Sequence, residues 1–161
     1  MTALRSKHHG HSHSHGEGDP QAWAAHALET LEREGYRRGG ARRAVIDAIA
    51  AEGCAVSALD LDDRLRDGGR RVGRASVYRA LEQLVDLGLV SRLDLGTEIA
   101  RYERIDPGGE HHHHMVCDTC GKVLPFEDAA LERAVARLTG GHGFEIRDHE
   151  IVLHGACGEC R

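Results

Sequence analysis

The N-terminal half of the chain carries a helical pattern in which apolar residues recur three or four positions apart. Such a stripe predicts an amphipathic helix with one buried face. Asp19 followed by Pro20 predicts the start of the first helix, because aspartate can cap free N–H groups and proline suits the first helical position. Ser57 is expected to cap the third helix in the same way. The predicted helices cover about residues 20–34, 40–51, 57–67 and 74–87.

Short extended segments follow these helices. Residues 89–95 and 99–105 flank the turn that begins at Gly96, and this pattern predicts a β-hairpin. Helices followed by a hairpin are the order of a winged helix-turn-helix domain, which is expected over residues 20–105. The next segment, residues 106–110, is rich in glycine and proline and is therefore a predicted hinge.

The remaining segment, residues 111–161, is predicted to form a small α/β unit. Its expected elements are strands at 111–117 and 122–126, a helix at 127–139 and two strands over 144–156. The glycine pair at 140–141 is expected to close the helix. Its predicted inward-facing residues are Leu131, Ala134, Val135 and Leu138. The fold class predicted for the whole chain is α+β.

The composition limits what these elements can bury. Of the 161 residues, 40% are hydrophobic and 29% are charged, and no apolar run approaches the roughly 18 residues of a membrane span, so no membrane partner is expected. Only 4% are aromatic, so a structural metal or a dimer interface is expected to supplement a small core. Residues 1–19 hold five histidines among glycine and serine and are predicted to be a disordered tail. The chain shows no apolar segment typical of a secretion signal, which favours a cytoplasmic location.

Positive charge is concentrated in one part of this acidic protein. The formal net charge is −5, yet residues 36–79 hold ten arginines against six acidic side chains. This local excess favours contact with phosphate groups. A solvated surface with no nucleic-acid partner is the alternative.

Two CxxC pairs, Cys117 with Cys120 and Cys157 with Cys160, are separated by 36 residues. Each pair can present two thiolates from a tight turn to one tetrahedral ion, so the spacing predicts a structural zinc site. A redox dithiol and free core cysteines are the alternatives. The odd total of five cysteines argues against a framework of disulfides. Because four thiolates leave no open position for water, the ion is not expected to be catalytic.

Four consecutive histidines, residues 111–114, precede the first CxxC pair. Alternate side chains of an extended strand point to opposite faces, so one strand could supply two separate metal sites. A solvated polyhistidine run is the alternative. Cys54 is a further candidate as a soft ligand, although the sequence favours its interpretation as a small buried residue.

Several segments together resemble the ferric uptake regulator family. They are RASVYR at 74–79, HHHHMVCDTCG at 111–121, the stretch from Gly143 to His149, and GACGEC at 155–160. The resemblance covers about residues 22–161, and the motifs are in the family's order. It implies a homodimeric, metal-dependent repressor that binds double-stranded operator DNA and is not an enzyme. It also implies that the winged helix is followed by a dimerisation domain, residues 111–161, with a structural zinc.

The resemblance implies three metal sites, of which the four cysteines match the structural zinc site. The residues that match a second site in the dimerisation domain are His111, His113, Glu132 and His149. His112 and His114 match ligands of a regulatory site between the domains, but the family's histidine ahead of the third helix falls on Ala55. The nearest oxygen donors are Glu103, Asp106 and Glu110. Glu103 is expected to contribute to that site, because Tyr102 and Glu103 resemble an aromatic–glutamate pair of the family. Histidine with carboxylate suits zinc, iron(II), manganese or nickel, so the ligand types do not name the metal. The second metal is expected to be zinc or iron(II).

DNA contacts are expected from the fourth helix and from basic residues around the start of the second helix. Polar side chains near the N-terminal end of a recognition helix meet bases and phosphates. Here these side chains are Arg74, Ser76, Tyr78 and Arg79. Arg37 and Arg42 match basic positions that the family uses near the DNA backbone. The alternative is that Tyr78 packs in the core and that the arginines are solvated.

Three other functions are compatible with parts of the sequence. A metal-dependent hydrolase could use an open histidine and glutamate site, but it would leave the basic helix unexplained. A zinc-buffering protein built on the histidine-rich tail would bind metal without affinity for an operator. A peroxide sensor within the same family would use iron at the hinge to oxidise a ligand histidine.

Overall fold

The computed structural model describes residues 19–37, 39–106, 112–145 and 149–161. The helices in these ranges are α1 (Pro20–Arg33), α2 (Gly40–Ala50), α3 (Ala58–Asp67), α4 (Arg74–Asp86) and α5 (Ala129–His142). The strands are β1 (Val56–Ser57), β2 (Val90–Leu93), β3 (Arg101–Arg104), β4 (His113–Cys117), β5 (Val123–Phe126) and β6 (Val152–Gly155). They form two three-stranded sheets, in the orders β1-β3-β2 and β5-β4-β6, and the α+β class is confirmed. None of these helices has the length and apolar character that crossing a membrane requires.

Capping residues set the helix starts in the N-terminal half. The Asp19 carboxylate accepts a hydrogen bond from the Gln21 N–H at 2.9 Å, and Pro20 takes the first position of α1. The Ser57 hydroxyl accepts from the Asp60 N–H at 3.1 Å, and the Asp60 carboxylate accepts from the Ser57 N–H in return. These bonds satisfy N–H groups that a helix start otherwise leaves without partners. Both predicted starts are confirmed.

The first four helices bury one continuous apolar core. Its largest buried side chains include Ile46, Ile49, Leu61, Leu81 and Leu84. Trp23 on α1 belongs to the same core, and its indole N–H donates to the Ile105 carbonyl at 3.1 Å. The chain just beyond the hairpin is thereby tied to the first helix.

The predicted hairpin is confirmed as the antiparallel pair β2 and β3, with Val90 opposite Arg104. A third strand, β1, pairs Val56 with Tyr102 on the other side of β3. Sequence patterns missed β1 because two residues are too few to show a periodicity. Through this pairing, the loop between α2 and β1 lies beside β3.

The second sheet is built around β4, with β5 antiparallel on one side and β6 parallel on the other. Of the two strands predicted over 144–156, one is found as β6, and residues 146–148, on which the other depends, lie outside the described residues. Ile151 approaches β4 through a bond from the His114 N–H to its carbonyl, at 3.0 Å, without extending the ladder. His111 lies outside the described residues.

Helix α5 differs from the prediction in its end and in its burial. It continues through the glycine pair at 140–141 and ends before Gly143, whose φ of +62° is a left-handed conformation that glycine adopts easily. The glycine pair lowers the helix propensity of this segment but keeps a helical backbone. The helix ends where Gly143 adopts its positive φ. The predicted inward-facing side chains are not buried in the single chain, and Leu138 is 63% exposed.

The two sheets meet through a small apolar cluster and a half-buried arginine. The buried members of the cluster are Ala55, Leu95 and Val116. Arg101 on β3 donates to the Gly121 carbonyl at 3.0 Å, which joins the hairpin to the turn after β4. These contacts bring β3 and β4, and the polar side chains they carry, next to each other.

Candidate metal centres

The four cysteines of the CxxC pairs lie together, and we call this group the thiolate site. Cys117 ends β4 and Cys120 lies in the turn that follows, while Cys157 and Cys160 lie beyond β6. Their sulfur atoms all lie within 4.8 Å of one another, and the sulfurs of Cys120 and Cys157 are 3.8 Å apart. Zinc–sulfur bonds of about 2.3 Å in a tetrahedron separate sulfurs by about 3.8 Å. The donor set therefore fits a zinc ion.

Backbone N–H groups favour the thiolate form of one sulfur in this site. The N–H groups of Cys157, at 3.3 Å, and of Cys120 lower the pKa of Cys117 to about 6. Hydrogen bonding with the thiols of Cys157 and Cys120 raises the pKa of Cys160 to about 12. Because the thiolate is the form that binds a metal, the N–H groups of both CxxC turns prepare Cys117 for coordination.

A second group, the sheet–helix site, joins β4 to α5 and to the segment before β6. The Glu132 carboxylate lies 2.7 Å from His113 Nε2 and 3.2 Å from His149 Nε2. One donor atom from each of these residues lies within 4.8 Å of the others. The structure thus brings together three of the four residues predicted for this site, and the fourth, His111, lies outside the described residues.

Hydrogen bonds engage both ring nitrogens of the buried His113. Its Nδ1 accepts from the Ile151 N–H at 3.3 Å, so its Nε2 is the nitrogen that donates to Glu132. This bond, together with the nearby His149, lowers the pKa of Glu132. The sheet–helix site is therefore a hydrogen-bonded network in its own right.

A third group, the interdomain site, takes side chains from both sheets and consists of Cys54, Glu103, His112 and His114. The Nε2 atom of His112 lies 3.1 Å from Glu103 Oε1, and that of His114 lies 3.4 Å from Glu103 Oε2. One donor atom from each of the four residues lies within 4.8 Å of the others. His112 and His114 point away from the face of β4 that carries His113, as strand alternation predicts.

Cys54 is the member of the interdomain site that sequence reasoning did not favour as a ligand. The thiol does pack against the small apolar cluster, as a small buried residue would. Its sulfur nevertheless also lies among the donor atoms of Glu103 and His114. Its position next to Ala55, where a histidine is missing, is the signal in the sequence that could have identified it.

The interdomain site combines burial with one histidine whose ring nitrogens make no hydrogen bond in the described part of the chain. His114 is only 3% exposed, and neither of its ring nitrogens makes a hydrogen bond within the described ranges. Burial opposes the ionisation of Glu103, but the adjacent His112 and His114 lower the pKa of Glu103 to about 2. Burial, with the charge of Glu103, raises the pKa of Cys54 to about 12. Two imidazoles, a carboxylate and a thiol at one place are a donor set that fits a divalent metal.

The predicted DNA-contacting residues divide into exposed and internally paired side chains. Tyr78 on α4 is 38% exposed, so the alternative that it packs in the core is wrong. Arg79 is exposed and donates to the Ser76 hydroxyl at 3.2 Å. Arg74 instead forms an ion pair, at 3.0 Å, with the buried Asp62 on α3. Arg74 therefore fixes α4 against α3.

Of the two predicted backbone-contacting arginines, Arg37 lies in the loop before α2 and Arg42 lies in the first turn of α2. Arg37 is exposed, and its carbonyl accepts a bond from Arg42. Arg42 also donates to Gln83 on α4 at 2.8 Å and lies over the Tyr36 ring. The role of each of these residues towards DNA, like the role of each candidate ligand towards a metal, stays a prediction.

Comparison with known proteins gives a consistent result. The sequence profile of the ferric uptake regulator family matches residues 33–154. The ferric uptake regulation protein of Escherichia coli (strain K12) is 38% identical over 108 residues, which are 66% of this chain and 72% of that protein.

Solved structures agree with the sequence comparison. The ferric uptake regulator of Vibrio cholerae has a TM-score of 0.71 at 28% identity, over 80% of this chain and 98% of that one. The ferric uptake regulator of Francisella tularensis, solved with iron, has a TM-score of 0.68 at 27% identity, over 78% of this chain and 95% of that one.

Proposed function

The chain belongs to the ferric uptake regulator family, and from this premise we propose that it is a cytoplasmic, metal-dependent transcriptional repressor that binds operator DNA as a homodimer. In this proposal residues 20–105 are the winged-helix DNA-binding domain and residues 111–161 are the dimerisation domain. The thiolate site holds a structural zinc, and the interdomain site holds the ion that controls DNA binding.

The observation that carries the proposal is the shared construction of the interdomain site. Cys54 and Glu103 come from the DNA-binding half, whereas His112 and His114 come from the other half. An ion held there cross-links the two halves in one relative orientation. A ligand that binds one arrangement better than the others shifts the population towards it. The regulatory effect thus follows from ligands that are distributed over two domains.

The DNA-binding surface of the proposal is the exposed part of α4. Tyr78 and Arg79 are available to a duplex, since neither is buried in the core. Arg74 and Asp62 hold this helix against α3, the arrangement in which a recognition helix is presented to the major groove. Two such helices in a dimer would meet two half-sites of an operator.

Exposed apolar residues in the second sheet support the homodimer. Met115 on β4 lies opposite Leu124 on β5 and Leu153 on β6, so the three side chains form a row across the sheet. All three are exposed in the single chain, at 41%, 44% and 48%. Helix α5 also leaves its apolar side chains unburied. A second copy that covers these residues would supply the missing core.

The function can be tested by titrating DNA binding with single metals. The probe is a duplex that the zinc-loaded protein selects from a random-sequence library, and Zn(II), Fe(II) and Mn(II) are added separately without oxygen. We expect binding to require metal in the wild type and to weaken by at least about tenfold, or ~1.4 kcal/mol, when His112 and His114 are both replaced by alanine. Arg79→Ala should weaken binding by about 1–3 kcal/mol without changing the metal content.

Two results would contradict the proposal. DNA binding that is indifferent to every metal would exclude a metal-dependent repressor. Metal dependence that survives His112→Ala with His114→Ala, but disappears in Glu132→Ala, would transfer the regulatory role to the sheet–helix site.

A further inference from the structure

We propose that Cys54 is the fourth ligand of the interdomain site, which makes this site selective for zinc over iron(II) and manganese(II). The inference deepens the proposed function, because it names the metal that the regulatory site recognises. It rests on the position of Cys54, on the surroundings of His114 and on the chemistry of the four donors.

The loop before β1 directs two neighbouring residues to different places. Ala55 is buried in the apolar cluster with Leu95 and Val116, so its methyl group helps to hold the two sheets together. The Cys54 sulfur lies instead within 4.8 Å of the donor atoms of Glu103 and the two histidines. The residue type at 55 is thus explained by packing, and the metal-binding role in this loop falls to the residue before it.

His114 independently indicates that a ligand belongs at this site. Its ring is 3% exposed, and neither nitrogen makes a hydrogen bond in the described part of the chain. The nearest carboxylates are those of Glu103, at 3.4 Å, and Glu150, at 3.3 Å. A buried polar group left without a hydrogen bond costs about 1–3 kcal/mol, which coordination of an ion would offset.

The donor set favours zinc for two reasons. A thiolate is a soft ligand, and four-coordinate sites that mix sulfur, nitrogen and oxygen donors are typical of zinc. At a given set of nitrogen, oxygen and sulfur donors, the affinity of divalent ions also rises from manganese(II) through iron(II) to zinc. The thiol releases its proton to water as the metal–sulfur bond forms. The charges of one thiolate and one carboxylate then cancel those of a divalent ion, so the assembled site is neutral in a largely buried place.

The sheet–helix site differs from the interdomain site in its donor atoms. It offers two imidazoles and a carboxylate but no sulfur, and both nitrogens of His113 are already engaged by Ile151 and Glu132. Thiolate coordination outside the four-cysteine cluster is therefore specific to Cys54 among the described residues.

Cobalt(II) reports directly on thiolate coordination and is the probe for the first test. The full-length protein is prepared with zinc retained at the thiolate site, as verified by metal analysis, and cobalt(II) is added up to one further equivalent. We expect the near-ultraviolet charge-transfer band of a cobalt–thiolate bond in the wild type and in Glu132→Gln, and its loss in Cys54→Ser. In Cys54→His, an imidazole replaces the thiolate, so tight binding should return without the band.

Competition between metals tests the selectivity. We expect Cys54→Ser to weaken zinc binding at this site by about 100-fold or more, since loss of even an outer partner of a ligand costs about 10–100-fold. The affinity for manganese(II) should change far less. A band that persists in Cys54→Ser, its absence from the wild type, or an equal loss of zinc and manganese affinity would each overturn the inference.

The outcome for DNA binding separates this inference from the proposed function. A cobalt–thiolate band that depends on Cys54, in a protein whose DNA binding ignores metals, would support the ligand assignment and overturn the regulatory function. Metal-dependent DNA binding with no involvement of Cys54 would overturn the ligand assignment and leave the repressor intact.

Discussion

The two halves of the chain are stabilised in different ways. The N-terminal half buries a continuous core of aliphatic side chains and Trp23, drawn from four helices and a sheet. In the C-terminal half, α5 buries none of its residues, and the buried side chains of β4 include His113 and His114. Some buried positions of the C-terminal half are thus occupied by histidines, whereas the core of the N-terminal half is built from apolar side chains.

This difference shows how a small domain can compensate for a missing core. A unit of about 50 residues buries little apolar surface and is only marginally stable alone, so metals or association often add to its stability. In this protein the two additions proposed for the second half are a zinc at the thiolate site and a second copy across the sheet. The first half instead buries a continuous core of its own.

The largest effect is expected from breaking the thiolate site. Cys157→Ser should release the structural zinc and unfold the C-terminal half, because metal binding and folding are coupled in such sites, while the N-terminal helices persist. Limited proteolysis should then leave a fragment that ends near the predicted hinge, and metal analysis should show less zinc.

Cys54→Ser is the matched control for this change, because it also removes one thiol but leaves the thiolate site whole. It should keep the structural zinc and full resistance to proteolysis. Equal zinc content in Cys157→Ser and the wild type would contradict the assignment of the structural site.

An intermediate effect is expected at the exposed apolar row. Met115→Glu would place a charge in the proposed interface, and an uncompensated buried charge costs about 3–5 kcal/mol. Analytical ultracentrifugation should show a monomer at concentrations where the wild type is a dimer. Leu59→Glu, on the exposed side of α3, is the control and should leave the dimer unchanged. A Met115→Glu variant that dimerises as well as the wild type would remove this surface from the interface.

The smallest effect is expected in the half that has its own core. Ser57→Ala removes the hydroxyl that caps α3 and should lower the free energy of unfolding by about 1 kcal/mol. Urea unfolding, followed by the fluorescence of Trp23, measures this change. Ser57→Thr keeps a capping hydroxyl and should lose less, and an equal loss in both variants would mean that the capping bond is not the cause.

Local sequence signals predict much of the first half. Asp19 and Ser57 cap helices that begin where these residues predict, because a cap acts on N–H groups only a few positions away. The same reasoning fails at the glycine pair 140–141, which α5 crosses, and at β1, which exists only because Val56 meets Tyr102. Pairing of this kind depends on partners that are distant in the sequence.

The candidate sites show the same difference between what local sequence predicts and what tertiary packing decides. The CxxC spacing and the alternation of residues along β4 are properties of a short stretch of chain, so the sequence by itself determined the thiolate group and the separation of His113 from His112 and His114. Only the tertiary structure decided that Cys54 joins Glu103 and the two histidines. These side chains come from a loop, a hairpin and a strand that meet through Ala55, Leu95 and Val116, and packing between distant segments has no signature in any one of them.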